Sequence, residues 1–272
     1  MWEALQFEFM RNALMAGIFA SITCGVIGTL VVVNRIVFLA GGIAHAAYGG
    51  IGLAFFLGWP YMYGTFGFSL LSAMVMAAVT LRDRHRSDTV IGVLWAVGMA
   101  TGVIFLDLTP GYNVDLMSYL FGSILSVPGS DLRTMLIMCA AVIVLVSCFY
   151  NELMAMSYDA EFAKLRGVPV TFFYFLLLGM IAVSVVMVIQ VVGLILVIAM
   201  LTIPPYIAEK FSGSLFGMML ISSLLSCLFT TTGLWVSYTY NLTSGATVIM
   251  VNGAAFFISV LVERLRPSPL RG

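Results

Sequence analysis

Arg35-Ile-Val-Phe-Leu-Ala-Gly-Gly-Ile-Ala-His-Ala-Ala-Tyr-Gly-Gly-Ile-Gly-Leu53 is the stretch whose reading decides the fold. It opens an apolar helix of membrane length, and it carries a histidine, His45, among small residues: Gly41, Gly42, Ala44, Ala46, Ala47, Gly49, Gly50 and Gly52. Small residues let helix backbones approach closely in lipid, where packing rather than water exclusion drives association. An imidazole at that depth faces protein or a water-filled path and is a functional candidate by default. Every Lys, Arg, Asp and Glu lies near the end of an apolar run, so His45 is the one ionisable candidate of this kind inside the membrane.

Outward from this stretch the chain stays apolar. Of its 272 residues 62% are hydrophobic and 9% charged, and the mean hydropathy is +1.10. A soluble domain carries roughly 25% charged residues, so the composition specifies an all-α polytopic membrane protein. No segment between spans is long enough for a separate domain, and residues 1–272 read as one transmembrane domain. A net charge of zero argues against nucleic acid or acidic partners. Cys24, Cys139, Cys148 and Cys227 are scattered in apolar runs without CxxC spacing and read as small hydrophobes. The first residues, Met1-Trp-Glu-Ala-Leu-Gln-Phe-Glu8, are acidic where a cleavable signal would be basic.

A span needs roughly 20 apolar residues, and about nine candidates are present: 12–34, 37–57, 61–81, 89–108, 134–150, 170–188, 191–208, 214–237 and 245–263. Gln190 and Gly193 mark a tight break between the sixth and seventh. Cytoplasmic loops accumulate Lys and Arg. With the N-terminus outside and the C-terminus inside, Arg35, Arg82, Arg84, Arg86, Lys164, Arg166, Lys210, Arg264, Arg266 and Arg271 face the cytoplasm, and only Arg11 and Arg133 face out. Termini on opposite sides require an odd number of spans.

Two segments depart from a plain bundle. The polar outer loop Asp107–Asp115 leads into Leu116–Val127, an apolar run too short to span, which predicts a re-entrant or interfacial helix ended by Pro128-Gly129. On the inner side, Ser157-Tyr-Asp-Ala-Glu-Phe-Ala-Lys-Leu-Arg-Gly167 predicts a short cytoplasmic helix. Ser157 is its expected cap, Asp159 and Glu161 lie near its first turn, Lys164 and Arg166 in its last, and Gly167 then Pro169 stop it. A short surface helix between spans suits docking of a soluble partner. Asp88, after Ser87, reads as the cap of the fourth span, and His85 as a solvated loop residue near lipid headgroups.

Several of these segments resemble one family, the membrane-spanning subunits of bacterial zinc and manganese ABC importers. Phe38–Gly50 resembles its segment of small residues and histidine on the second helix. Asp88-Thr-Val-Ile-Gly92 resembles the opening of its fourth helix, and Val114-Asp-Leu-Met-Ser-Tyr-Leu-Phe-Gly122 its tyrosine–leucine–phenylalanine–glycine segment. Ser157–Gly167 resembles its cytoplasmic coupling helix, and Val192–Pro204 its glycine-led helix ending in proline. The five stand in family order over nearly the whole chain.

The resemblance implies a type II ABC importer-like fold in a bacterial inner membrane, working as a homodimer with ABC ATPase subunits and an extracytoplasmic metal-binding protein. It also implies a transient metal ligand at His45, a substrate path past Gly41, Gly42 and Gly49, and ATPase coupling through Ser157, Asp159, Glu161, Ala163 and Gly167. No cofactor is held permanently: Zn2+ or Mn2+ is cargo, and ATP acts through the partner. Many family members carry aspartate four residues before the histidine, where this chain has Gly41. Losing that oxygen ligand favours zinc over the harder manganese. Pro205 after Pro204 is a second departure and stiffens the backbone.

The residue types alone leave two readings of His45 open, a transient ligand or a packing histidine bonded to a neighbouring carbonyl. Asp107 and Asp115 either attract an arriving cation or a basic delivery protein, or serve as solvated caps. The methionines follow no sustained spacing and read as packing residues. No GxxxxGK[ST] loop, Ser/His/Asp set or HExxH is present, so the chain is expected to be a transport subunit and not an enzyme. An ion-coupled secondary carrier or channel is the alternative; a proton-coupled carrier would be expected to hold an Asp, Glu or Lys at mid-membrane, and the sequence has none there.

Overall fold

The computed structural model describes residues 6–82, 87–110, 122, 124 and 127–265. These form helices α1 (Glu8–Val33), α2 (Val37–Leu57), α3 (Tyr61–Arg82), α4 (Ser87–Asp107), α5 (Gly129–Cys148), α6 (Tyr150–Tyr158), α7 (Ala160–Leu165), α8 (Val170–Val192), α9 (Leu194–Glu209), α10 (Leu215–Tyr240) and α11 (Ser244–Leu265). Eight of them are long and apolar enough to cross a membrane. The ninth expected span is α9, whose 16 residues rise about 24 Å against a hydrocarbon core of about 30 Å. The protein is thus an all-helical polytopic membrane protein.

The break before α9 lies at Gly193, with φ 78° and ψ 168°, a conformation nearly reserved to glycine. Gln190 makes no such demand, so α8 runs on through Val192 and the break falls later than the expected 188–191. Leu116–Val127 lies largely outside the described residues. Gly122, one of the described positions there, sits so close to the backbone of Val192 and Gly193 that a side chain would collide.

Helix α1 runs through the core, against α5, α8, α9 and α10. Pro204 and Pro205 are both inside α9 and buried. The missing Pro205 N–H frees the Leu201 carbonyl from the helix ladder, and Gly28 of α1 approaches that oxygen so closely that a Cβ would stand 2.6 Å from it. Helix α2 packs between α3 and α4 through a run of glycines. A Cβ on Gly49 would lie 2.8 Å from the Gly98 carbonyl oxygen, and one on Gly52 2.7 Å from Gly102 Cα.

The predicted cytoplasmic helix is two short helices, and its cap is not Ser157. Ser157 is inside α6, its hydroxyl donating to the Leu153 carbonyl at 2.7 Å. The cap of α7 is Asp159, in extended backbone at φ −149°. Its Oδ1 accepts from the N–H groups of Glu161 at 3.1 Å and Phe162 at 2.9 Å. A cap needs non-helical backbone with its oxygen turned back over the first turn, and only Asp159 meets both conditions. Gly167, at φ 83°, ends the segment as expected, its N–H bonding Lys164 O while Val168 N–H bonds Ala163 O, both at 3.0 Å. Asp88 likewise sits inside the first turn of α4 rather than capping it from outside.

Candidate functional site

His45 stands midway along α2, half-buried, and its ring makes two contacts. Nδ1 lies 2.9 Å from the carbonyl oxygen of Gly41, one turn earlier. The imidazole also packs against Trp95 of α4, ring centroids 3.8 Å apart and planes tilted by 32°. A carbonyl only accepts, so in the neutral ring the proton is on Nδ1 and the lone pair on Nε2. No described residue bonds Nε2. A backbone carbonyl fixing one ring nitrogen so that the other is presented as donor is how proteins orient ligating histidines.

Gly41 thus contributes its carbonyl where the resemblance implied a carboxylate. It is buried, but a Cβ there would meet only Ile198 Cδ1, at an ordinary 3.7 Å. Gly42 and Gly49 serve helix contacts within the chain: a Cβ on Gly42 would lie 2.6 Å from Ile91 Cγ2. Among the described residues no three His, Cys, Asp or Glu side chains gather as a metal cage. The described residues therefore offer one oriented imidazole, that of His45. Asp107 is exposed at the end of α4, and Asp115 lies outside the described residues.

At the opposite end of α4 from Asp107 is a cavity of about 260 Å³, bordered by Asn34, Arg35, Asp88, Met156 and Ala160. It adjoins the α6–α7 segment, in which Ala163 is fully buried while Phe162 and Leu165 are 51% and 87% exposed. Glu161 is exposed beside them, and the Arg166 guanidinium lies 5.3 Å over the Phe162 ring. Residues 157–167 therefore present a small apolar edge with charged flanks. The sequence reading did not single out Trp95 or Asn34. Trp95 pairs with a residue 50 positions away, which no local period reports; a polar residue closing an apolar span was the available sign for Asn34.

The ABC 3 transport family matches residues 6–263. An uncharacterized membrane protein of Synechocystis sp. is 47% identical over 264 residues, 97% of this chain and 94% of that protein. The manganese transport system membrane protein MntC of Listeria monocytogenes is 31% identical over 257 residues, covering 94% of this chain and 91% of its own length. The solved structure of PsaBC from Streptococcus pneumoniae in complex with Fab contains a chain that superposes with a TM-score of 0.86 at 31% identity, covering 94% of this chain and 93% of that one. A type II ABC importer-like arrangement of helices and the family match over almost the full length agree: this chain belongs to the ABC 3 transport family and is the membrane-spanning, non-catalytic subunit of an ABC transporter.

Proposed function

We propose that the chain is the permease of an ATP-driven importer of divalent metal ions, with zinc the first expected cargo and manganese the second. The observation that carries the reading is the His45 imidazole, its Nε2 lone pair left available by the bond from Nδ1 to Gly41 O. A single imidazole per protomer suits transport, because an ion held by a closed four-ligand cage does not leave easily. Zinc accepts imidazole readily, and without a carboxylate at Gly41 the harder ion gains less. The relative named for manganese transport keeps manganese as the second cargo.

The permease works as a homodimer, the two copies of α2 lining a shared path. The proposed topology is N-terminus outside and C-terminus cytoplasmic in a bacterial inner membrane, with an extracytoplasmic metal-binding protein delivering at the Asp107 end. Arg35, Arg82, Lys164 and Arg166 gather at the end that holds α6 and α7, which supports this orientation. ATPase subunits dock at Ser157–Gly167, where the exposed Phe162 and Leu165 offer an apolar edge and Asp159, Glu161 and Gly167 set its shape and charge. Closure of the motors moves that segment, and a rigid-body shift of α2 switches His45 between outer and inner access.

Zinc uptake by the assembled transporter with His45→Ala tests the site. The expected result is loss of uptake at normal protein level; unchanged uptake removes the assignment. A motor-free carrier is disfavoured because the described acidic residues lie at or near helix ends, for example Asp88, Asp107, Glu209 and Glu263. Transport into liposomes holding this chain alone would decide for the carrier.

A further inference from the structure

The turn joining α1 to α2 is tied back on itself. The backbone N–H groups of Asn34, Arg35 and Ile36 donate to Leu30, Val32 and Val31 carbonyls at 3.0–3.1 Å. Arg35 takes a left-handed conformation at φ 58°, uncommon for a residue with a side chain. Asn34 Nδ2 donates to Leu30 O at 2.8 Å and to Ser157 Oγ at 2.8 Å, across 123 positions of sequence. Ser157 Oγ–H in turn donates to Leu153 O at 2.7 Å. Every donor in this chain of bonds is fixed, since Leu30 and Leu153 present carbonyls that only accept.

Around this contact the packing is incomplete. The cavity of about 260 Å³ opens between Asn34, Arg35 and Ile36 on one side and Met156 and Ala160 on the other. Helix α6 is also held at Tyr150, whose hydroxyl accepts from the Phe216 N–H at 3.0 Å, by the buried Leu153 and Met156, and at its N-cap by the edge contact between Phe149 and Phe173 at 5.4 Å; the side-chain hydrogen bond that joins it to the α1–α2 turn is Asn34–Ser157. A directed hydrogen bond fixes the relative position of the two groups it joins.

We infer that the Asn34–Ser157 hydrogen bond is the positioning link that carries displacement of the α6–α7 segment into the start of α2, and through that helix to His45. The inference rests on the coupling role proposed above for Ser157–Gly167. Asn34 and Ser157 are positioning residues that act through α2, and neither touches the cargo.

The test uses the assembled transporter, permease with its ATPase and binding protein, in liposomes, and reads Zn2+ and Mn2+ imported per ATP hydrolysed. Ser157→Val and Ser157→Thr have nearly the same shape, but only threonine keeps the hydroxyl. Loss of one neutral hydrogen bond corresponds to about fivefold, so Ser157→Val and Asn34→Ala are each expected to lower the ratio about fivefold with ATP turnover sustained. Ser157→Thr stays within about twofold, and the double variant is no worse than either single one. Equal ratios for the valine and threonine variants, or an unchanged ratio for Asn34→Ala, overturn the link. Glu161→Lys separates this failure from failure of the docking reading. If it uncouples while the Asn34 and Ser157 variants stay coupled, the link alone is wrong; if all stay coupled, both fall.

Discussion

The indole of Trp95 packs on the imidazole of His45 with centroids 3.8 Å apart, and the Phe38 ring centroid lies 5.9 Å from that of the same indole. His45 is therefore held by two forces at right angles in kind: a hydrogen bond along α2 to Gly41 O and a face contact across to α4. The bond chooses the tautomer and the stack limits rotation of the ring. Together they preorganise one donor atom without closing a cage around it.

Removing the stack tests this division of labour. Aromatic pairs contribute roughly 0.5–1.5 kcal/mol beyond their burial, or about two- to twelvefold in affinity. Trp95→Leu is expected to raise the apparent KM for metal uptake by about that factor with little change in maximal rate, and Trp95→Phe to retain most of the affinity. Initial-rate uptake across a metal titration checks it, and an unaltered KM in the leucine variant would show that the ring merely fills space.

The proposed cargo site can be tested at the neighbouring turn. A side chain fits at Gly41, where the nearest atom to a Cβ is Ile198 Cδ1 at 3.7 Å. Gly41→Asp places a carboxylate one turn from His45 on the same face and leaves the Gly41–His45 backbone bond available. Hard ions favour oxygen donors, so the ratio of Mn2+ to Zn2+ transported from an equimolar mixture is expected to rise severalfold. A ratio equal to that of the parent protein counts against cargo contact at this turn.

Two glycines eleven residues apart should respond in opposite ways. At Gly41 a methyl group meets ordinary contact, whereas at Gly52 it meets the backbone of Gly102 on α4, which no rotamer change relieves. Overpacking costs about 1–3 kcal/mol, sometimes more. Gly52→Ala is expected to lower the unfolding temperature of the detergent-purified protein by several degrees, and Gly41→Ala to leave it nearly unchanged. A common shift in both would mean that the α2–α4 contact is looser than the backbone distances require.

The spans were legible because each had to be apolar over a membrane thickness, and the short helices α6 and α7 were visible as a charged interruption between two of them. What the sequence left hidden was set by geometry between distant positions. Nothing local distinguishes Ser157 from Asp159 as a cap; the choice turned on α6 continuing to Tyr158, so that Ser157 became a helical residue bonded to Leu153 and to Asn34. Gln190 and Gly193 both looked like breakers, and only the positive φ of Gly193 separated them. His45 was found as an ionisable residue in an apolar run, but its orientation came from Trp95 and from a carbonyl that any residue at position 41 would supply.

The cap of α7 offers a last test. A helix of six residues is far below the length that is stable by itself in water, and Asp159 satisfies two of its first N–H groups. Replacing a capping residue by alanine costs roughly 0.5–2 kcal/mol, and asparagine caps about as well as aspartate. Asp159→Ala is therefore expected to fray the segment that carries Phe162 and Leu165, lowering co-purification of the ATPase and the metal imported per ATP, while Asp159→Asn stays near the parent. If the asparagine variant loses both as the alanine variant does, the carboxylate acts by charge on the partner. The hydrogen bonds to Glu161 and Phe162 would then be incidental to coupling.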